Sequence, residues 1–506
     1  MHRLVDLLKG LEYEVYQGEV NREISAVCYN TKDMAANSLF VCIKGFHTDA
    51  HSIAPKAVYE GASVIVCEYP VEVDERITLI IVSDTRKALS VISANYYGNS
   101  SKDMIMIGVT GTKGKTTTVY MIAEILSAAG IESGIIGSIE IRYGGVSYSN
   151  ENTTPESYII QRTLFNMRKN GVKAVVMEVS SQGLMLNRVY GIEFDYGVFT
   201  NISRDHIGKN EHKDMEEYIS CKASLFKNCK LGIYNRDDEH SEDIIRHNNC
   251  GRIVSYGIDE ATEIDYRYVD GVPGVSFVYE GMNFLLKLPG LYSVYNALAA
   301  IKVCNEILLE DEKETRLCLM AEVLGSIYVR GRSEIIPLLC GAYAVIDYAH
   351  NALALNNLLI SMRQYAKGRL ICLFGCGGNR SPERRYDMGE ISAKYADYTV
   401  ITSDNPRYEN PYNIMTDIEC GIHRVLTEAD KSPYGLRNYD EGKYVMIEDR
   451  KDAIEIALSK LDKNDMIVIA GKGHEDYQEI RGRRYRLMDR EIVEGAEYEN
   501  KHSRYN

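Results

Sequence analysis

The chain has 506 residues, enough for about three domains at roughly 150 residues each. Hydrophobic residues make up 45% and charged residues 26%, an ordinary globular composition that excludes disordered, collagenous and disulfide-stapled classes. The net charge of −14 argues against binding nucleic acid or an anionic membrane through the general field, so an anionic substrate needs a local cluster of Lys, Arg and backbone N–H groups.

The twelve cysteines are scattered, and no CxxC pair occurs. Reduced thiols in a cytosolic protein are the expected reading. The first residues mix Asp6, Lys9 and Glu12 into an apolar stretch and lack a secretory core. No run approaches the ~18 apolar residues of a spanning helix. A cytoplasmic protein that binds neither membrane nor nucleic acid is expected.

Three blocks follow in chain order, with boundaries at 1–101, 102–332 and 333–506. The first holds strand-like runs at residues 38–43 and 62–67. The second opens with a buried-strand pattern at 104–110. A helix is predicted over 116–129, where Val119, Ile122, Ile125, Leu126 and Ala129 keep the 3.6 period and Gly130 suits the position just past the end. The third alternates strands, at 342–348, 369–376, 397–403 and 465–470, with helical stretches. Such alternation implies parallel sheets and an α/β class.

Between the first strand and helix of the second block lies Gly108-Val109-Thr110-Gly111-Thr112-Lys113-Gly114-Lys115-Thr116-Thr117-Thr118. Glycines let such a turn aim consecutive N–H groups at phosphate oxygens, and the helix N-terminus adds its positive end. Lys115 can reach terminal phosphates, and the Thr116 hydroxyl can ligate Mg²⁺. Val109 stands where the general phosphate-loop pattern has glycine, so the match is to the variant GTxGKTT.

Lys222 is a separate signal. In a helix predicted over 215–226, the apolar positions are Met215, Tyr218, Ile219, Leu225 and Phe226, and Lys222 falls on their stripe. Desolvation there favours the neutral amine. A neutral amine can take up CO₂ as a carbamate and become an anion able to help hold a metal. The bland alternative is a lysine that snorkels to water.

The form GTKGKTT resembles that of the Mur ligases. The resemblance runs end to end through Asn152-Thr153-Thr154-Pro155, Met177-Glu178-Val179-Ser180-Ser181, Asn201-Ile202-Ser203-Arg204-Asp205-His206, Asp347-Tyr348-Ala349-His350, Phe374-Gly375-Cys376-Gly377-Gly378, Asp404-Asn405-Pro406-Arg407 and Gly471-Lys472-Gly473-His474-Glu475. It implies an α/β protein of three-domain Mur ligase architecture. An N-terminal domain would bind the UDP substrate, a central P-loop domain ATP, and a C-terminal Rossmann-like domain the amino acid. It implies an ATP-dependent ligase of peptidoglycan synthesis, acting through an acyl phosphate and releasing ADP and phosphate. The members most similar add a diamino acid to UDP-N-acetylmuramoyl-L-Ala-D-Glu, and Arg407 goes with meso-diaminopimelate. A lysine-adding or other paralogous amide ligase, and a non-catalytic nucleotide-binding relative, are the alternatives.

Roles carried over by the resemblance are these. Lys115, Glu178, His206 and Lys222 would be catalytic. Thr116, Glu178, His206 and carbamylated Lys222 would surround Mg²⁺. ATP would be held by Gly111, Thr112, Lys113, Gly114, Lys115, Thr116, Thr117, Asn296, Arg332 and Asp347. The UDP substrate would meet Thr31, Asn152, Thr153, Thr154, Ser180 and Arg188. The incoming amino acid would meet Arg380, Asp404, Asn405, Pro406, Arg407, Gly471 and Glu475. A monomer is expected. Departures from the family pattern at Gln182, Leu186, Ile207, Gly208, Lys209, Asn210 and Asn379 cluster near the substrate positions and bear on the substrate more than on the ATP chemistry.

Overall fold

The computed structural model describes all residues except 46–47, 206, 209–210, 310–311, 427–441 and 504–506; the side chains of 313 and 499–503 are also left aside. The chain divides into two compact units, Met1–Ile258 with Asn296–Leu319, and Asp259–Tyr295 with Met320–Asn506.

The first unit contains two large sheets. One has five strands in the order Glu14–Gln17, Thr78–Ile81, Ala62–Cys67, Ser38–Val41 and Val27–Cys28, parallel except for the first. Leu39, Val41, Val64, Val66 and Ile80 pack on one of its faces with Leu89 and Ile92 of the helix Thr85–Tyr96. The other has eight strands, in the order Val146–Ser149, Glu140–Tyr143, Ser133–Ile136, Ala174–Glu178, Ile105–Thr110, Phe194–Phe199, Cys229–Asn235 and Arg252–Tyr256. The last six are mutually parallel and the first two are antiparallel additions at one edge. Ile105–Thr110 and Ala174–Glu178 are therefore neighbours in mid-sheet, and Glu178 pairs with Val109 at their carboxyl ends. In parallel sheets ligands gather at that end.

The helix after the loop runs Lys115–Ala128, one residue earlier than its apolar period predicts, and Gly130 has φ +82° as expected. It is buried on more than one stripe, because Thr118, Tyr120, Met121 and Ala123 are covered as well as Val119, Ile122, Ile125 and Leu126. The helix expected over 215–226 is Met215–Ala223, and the chain then tightens into a 3₁₀ turn, Ser224–Lys227. That turn places both Leu225 and Phe226 in the core.

The second unit has a six-stranded sheet in the order Glu334–Pro337, Tyr343–Asp347, Met466–Ala470, Leu370–Phe374, Tyr398–Ile401 and Tyr444–Met446. All its pairings are parallel except the first. Its strands read as continuous apolar runs because both faces are covered, by separate clusters around Leu358, Leu359 and Met388 and around Ile454, Ala457 and Val493. The four strands expected in this block are all present. A three-stranded antiparallel sheet, Ala261–Val269, Val272–Tyr279 and Met282–Leu286, and a hairpin, Tyr477–Ile480 with Arg483–Arg486, complete the unit. All twelve cysteines are free thiols. No helix among the described residues is long and apolar enough to cross a membrane.

Candidate functional site

The phosphate loop of the first unit leaves the mid-sheet strand Ile105–Thr110 and enters the helix Lys115–Ala128. Gly114 has φ +84°, and a Cβ there would overlap Asn296 Oδ1, so both the turn and the neighbour demand glycine. The loop is braced from the segment after the next strand. Thr112 N donates to Asn201 O at 2.8 Å, Lys113 N to Asn201 Oδ1 at 2.9 Å, and Thr200 Oγ1 to Lys113 O at 2.7 Å. The Lys113 ammonium pairs with Asp205 at 3.3 Å. Lys115 Nζ donates to Gly111 O at 2.8 Å and to Thr112 O at 3.1 Å, folded back over the loop.

Glu178 ends the neighbouring strand and is almost wholly buried. Its Oε2 accepts from the Thr116 hydroxyl at 3.0 Å and from Ser138 Oγ at 3.2 Å, and its Oε1 from Ser138 N at 2.8 Å. The Asn152–Thr154 segment reaches the same place. Thr153 Oγ1 lies 3.0 Å from Ser138 Oγ, within reach to donate to it, and Thr154 Oγ1 donates to Glu178 O at 2.9 Å. Ser180 N donates to Thr154 Oγ1 at 2.9 Å, while Ser180 Oγ caps the helix Ser181–Met185 by accepting from Gly183 N at 3.0 Å. Asn152 itself is exposed. Arg188 donates to Thr154 O at 2.9 Å and lies 3.6 Å from Glu156, and burial lowers its basicity. Thr31, in the 3₁₀ turn Thr31–Asp33, is carried by the five-stranded sheet instead.

Lys222 is buried, as its place on the apolar stripe predicts. Its amine donates to Gly111 O at 2.8 Å and sits 4.6 Å from the centre of the Tyr218 ring. Tyr218 OH is in turn 3.0 Å from Thr112 Oγ1. Desolvation first, and then the nearby Lys115 charge, hold the Lys222 ammonium well below its ordinary pKa. The loop, Thr116, Glu178 and Lys222 are thus tied together by direct bonds. His206 lies outside the described residues.

The oxygens of Thr116 and Glu178 form a buried pair of hard donors, the chemistry that suits Mg²⁺. An unmodified Lys222 amine does not belong to such a set, whereas its carbamate would. Among the described residues no group of three His, Cys, Asp or Glu side chains is placed to hold a metal ion.

Asn296 is in the first unit, where its Oδ1 accepts from Thr118 Oγ1 at 3.4 Å. Arg332 and Asp347 belong to the second unit. Ser333 N donates to Asp347 Oδ2 at 2.7 Å, and the Arg332 guanidinium stacks 4.8 Å from the centre of the Tyr348 ring. Desolvation raises the Asp347 carboxyl, and Arg332 opposes the rise.

The amino-acid candidates converge within the second unit. A Cβ on Gly471 would lie 2.6 Å from Asp404 Oδ2, so the strand end Met466–Ala470 leads straight to the Asp404 loop. Asn405 Nδ2 donates to Glu475 Oε2 at 2.9 Å. Arg407, at φ +52°, donates from NH1 to Gly378 O at 2.7 Å, and its Nε is 3.5 Å from Glu479 Oε2. Pro406 is buried, and Arg380 is exposed on the loop that also carries Gly378. Sequence reasoning assigned no part to Ser138, Tyr218 or Lys472, which bond directly to the candidates. Lys472 lies inside the motif Gly471–Glu475, but nothing in the spacing marks Ser138.

The Mur ligase middle domain matches residues 109–304, the Mur ligase glutamate ligase domain residues 331–473, and the Mur ligase family catalytic domain residues 23–97. The UDP-N-acetylmuramoyl-L-alanyl-D-glutamate–2,6-diaminopimelate ligase of Caldanaerobacter subterraneus is 39% identical over 497 residues, covering 97% of this chain and 98% of that protein. The ligase of the same name from Clostridium botulinum is 38% identical over 498 residues, covering 96% and 98%. A solved structure of a ligase so named superposes with a TM-score of 0.65 at 25% identity, over 96% of this chain and 97% of that one. A MurF ligase of Thermotoga maritima in complex with ADP shares the fold, with a TM-score of 0.61 at 18% identity over 94% and 98%. With its loop, its buried carboxylate and relatives aligned along nearly its whole length, the chain belongs to the Mur ligase family.

Proposed function

We propose that this protein is an ATP-dependent amide ligase that adds 2,6-diaminopimelate, as the meso isomer, to UDP-N-acetylmuramoyl-L-Ala-D-Glu in peptidoglycan synthesis, acting as a cytoplasmic monomer. One observation carries the reading: Glu178 accepts from Thr116 of the phosphate loop, while Ser138 links it to Thr153 of the muramoyl-peptide segment. Nucleotide and acyl substrate would thus meet at one buried carboxylate. The relatives named as this ligase align over nearly the whole chain, which supports the substrate.

A carboxylate is a poor electrophile. Transfer of the γ-phosphoryl group of ATP to the terminal carboxylate of the UDP-dipeptide gives an acyl phosphate and ADP. The amine of the diamino acid then attacks the acyl carbon, phosphate leaves with the bonding electrons, and the amine sheds a proton as the amide forms. Catalysis here is charge stabilisation and positioning. Lys115 would swing from the carbonyls of Gly111 and Thr112 to the phosphates. Mg²⁺, held by Thr116, Glu178, His206 and the Lys222 carbamate, would neutralise charge on them. The carbamate forms from the neutral Lys222 amine and CO₂ with loss of one proton.

Gly111, Thr112, Lys113, Gly114, Thr117 and Asn296 would complete the ATP site in the first unit, and Arg332 and Asp347, on the second unit, are the remaining candidates for nucleotide contacts. Thr31, Asn152, Thr153, Thr154, Ser180 and Arg188 would hold the UDP substrate. Arg380, Asp404, Asn405, Pro406, Arg407, Gly471 and Glu475 would hold the diamino acid. In this reading residues 1–101 serve the UDP end, 102–332 ATP and 333–506 the amino acid. Arg407 is the fork for a distal carboxylate, which lysine lacks.

The test is phosphate release with ATP, UDP-N-acetylmuramoyl-L-Ala-D-Glu and a panel of diamino acids. Release with meso-diaminopimelate, and product of the corresponding mass, is expected. Release with lysine alone would overturn the substrate, and ATP binding without release under any combination would overturn the enzyme.

A further inference from the structure

Lys472 is fully buried in the second unit. Its ammonium donates to Glu475 Oε2 at 3.1 Å and to Asn405 Oδ1 at 3.3 Å. Asn405 closes the triangle, because its Nδ2 donates to the same Glu475 oxygen. The amide is itself fixed, since its Oδ1 also accepts from Glu479 N at 2.8 Å. Tyr348 OH donates to the other Glu475 oxygen at 3.4 Å. Glu475 is therefore paired with an internal cation before any amino acid arrives. Beside it, Arg407 pairs with Glu479.

This arrangement changes what the subsite rewards. A carboxylate alone would attract any ammonium, lysine's included. A carboxylate already neutralised by a buried ammonium does not. A ligand end bearing both an ammonium and a carboxylate adds no net charge to the two pairs and can share each of them. A bare ammonium adds one positive charge close to Lys472, which cannot retreat to water, and the repulsion is strong where water is excluded.

We propose that Lys472 is a specificity-determining positioning residue, whose charge, fixed on Glu475 and Asn405, turns the subsite against a diamino acid ending in an ammonium alone and toward one ending in an ammonium and a carboxylate. This rests on the amide-ligase reading above.

The test compares the full-length wild type with Lys472→Gln and Lys472→Arg. Each is assayed for phosphate release and product with ATP, the UDP-dipeptide and either meso-diaminopimelate or L-lysine. Lys472→Gln keeps a donor and loses the charge. It should raise the ratio of kcat/KM for lysine over diaminopimelate by about tenfold or more, the scale of removing one poorly screened charge. Its KM for ATP should stay near the wild-type value. Lys472→Arg keeps the charge and should keep the wild-type ratio. An equal fall with both diamino acids in Lys472→Gln, or a raised ratio in Lys472→Arg, overturns the proposal. If Lys472→Gln shows no cooperative melting, Lys472→Met replaces it in the same assay under the same criteria. A wild type inactive with both diamino acids sinks the ligase reading and this inference together. A wild type active with diaminopimelate, beside a Gln variant of unchanged ratio, sinks this inference alone.

Discussion

The Thr116 hydroxyl donates to Glu178 Oε2 across 3.0 Å, joining the first turn of the phosphate-loop helix to the end of the adjacent parallel strand. Both groups are buried, so the contact has little competition from water.

Glu178→Gln keeps the shape and one oxygen acceptor, enough for Ser138 N, and removes the charge. Turnover should fall by about 100-fold or more, roughly 2.7 kcal/mol of barrier. The melting temperature should move little, because the amide oxygen can still accept from Ser138 N while the Thr116 and Ser138 hydroxyls turn to accept from the amide NH2. Steady-state phosphate release over a Mg²⁺ titration, with a melt of the same sample, checks both. Wild-type turnover would remove Glu178 from the chemistry.

Lys222→Ala deletes the buried amine that bonds Gly111 O. Turnover should drop by about two orders of magnitude, the scale of losing a preorganised charged group. Added acetate should restore part of it by supplying a carboxylate in place of the carbamate. The wild type should gain activity with bicarbonate. Full activity in the variant would contradict the carbamate.

Arg407→Ala removes a guanidinium that reaches Gly378 O and Glu479. The kcat/KM for diaminopimelate should fall by about tenfold to a hundredfold, as for a lost charge-assisted hydrogen bond, or 1.4 to 2.7 kcal/mol. The KM for ATP should change by less than about twofold if the two sites are independent. Equal losses for both substrates would place Arg407 elsewhere in the mechanism.

Asp347 gives a pH prediction. Desolvation raises its carboxyl, with Arg332 opposing. The folded protein thus holds the proton more tightly than the unfolded chain. Stability linked to this group is present below its ordinary carboxylate range and is lost as pH rises through the raised value. Asp347→Asn, which keeps an acceptor for Ser333 N, should therefore gain stability relative to wild type on going from pH 4 to pH 7. Urea unfolding at the two pH values measures the difference, and a constant difference would show that Asp347 titrates alike in both states.

Local chemistry made much of this legible. The strand–loop–helix of 104–129 is written in an apolar run, two glycines of positive φ and a following 3.6 period, and each cue acts within a few residues. The alternation of strands and helices in the third block likewise announces a parallel sheet. Lys222 was readable because a charged residue on an apolar stripe must either be buried or break the pattern, and here it is buried.

Partnership across the chain was decided only by folding. Ser138 meets Glu178 across 40 residues because the strand it follows, Ser133–Ile136, pairs in parallel beside Ala174–Glu178 and ends at the same edge of the sheet. Lys472 meets Asn405 across 67 residues because Met466–Ala470 inserts between earlier strands of its sheet. Sequence period fixes which face of a strand or helix is apolar. Which strand becomes whose neighbour depends on the summed burial of the whole unit, and the residues that orient the site are set by that choice.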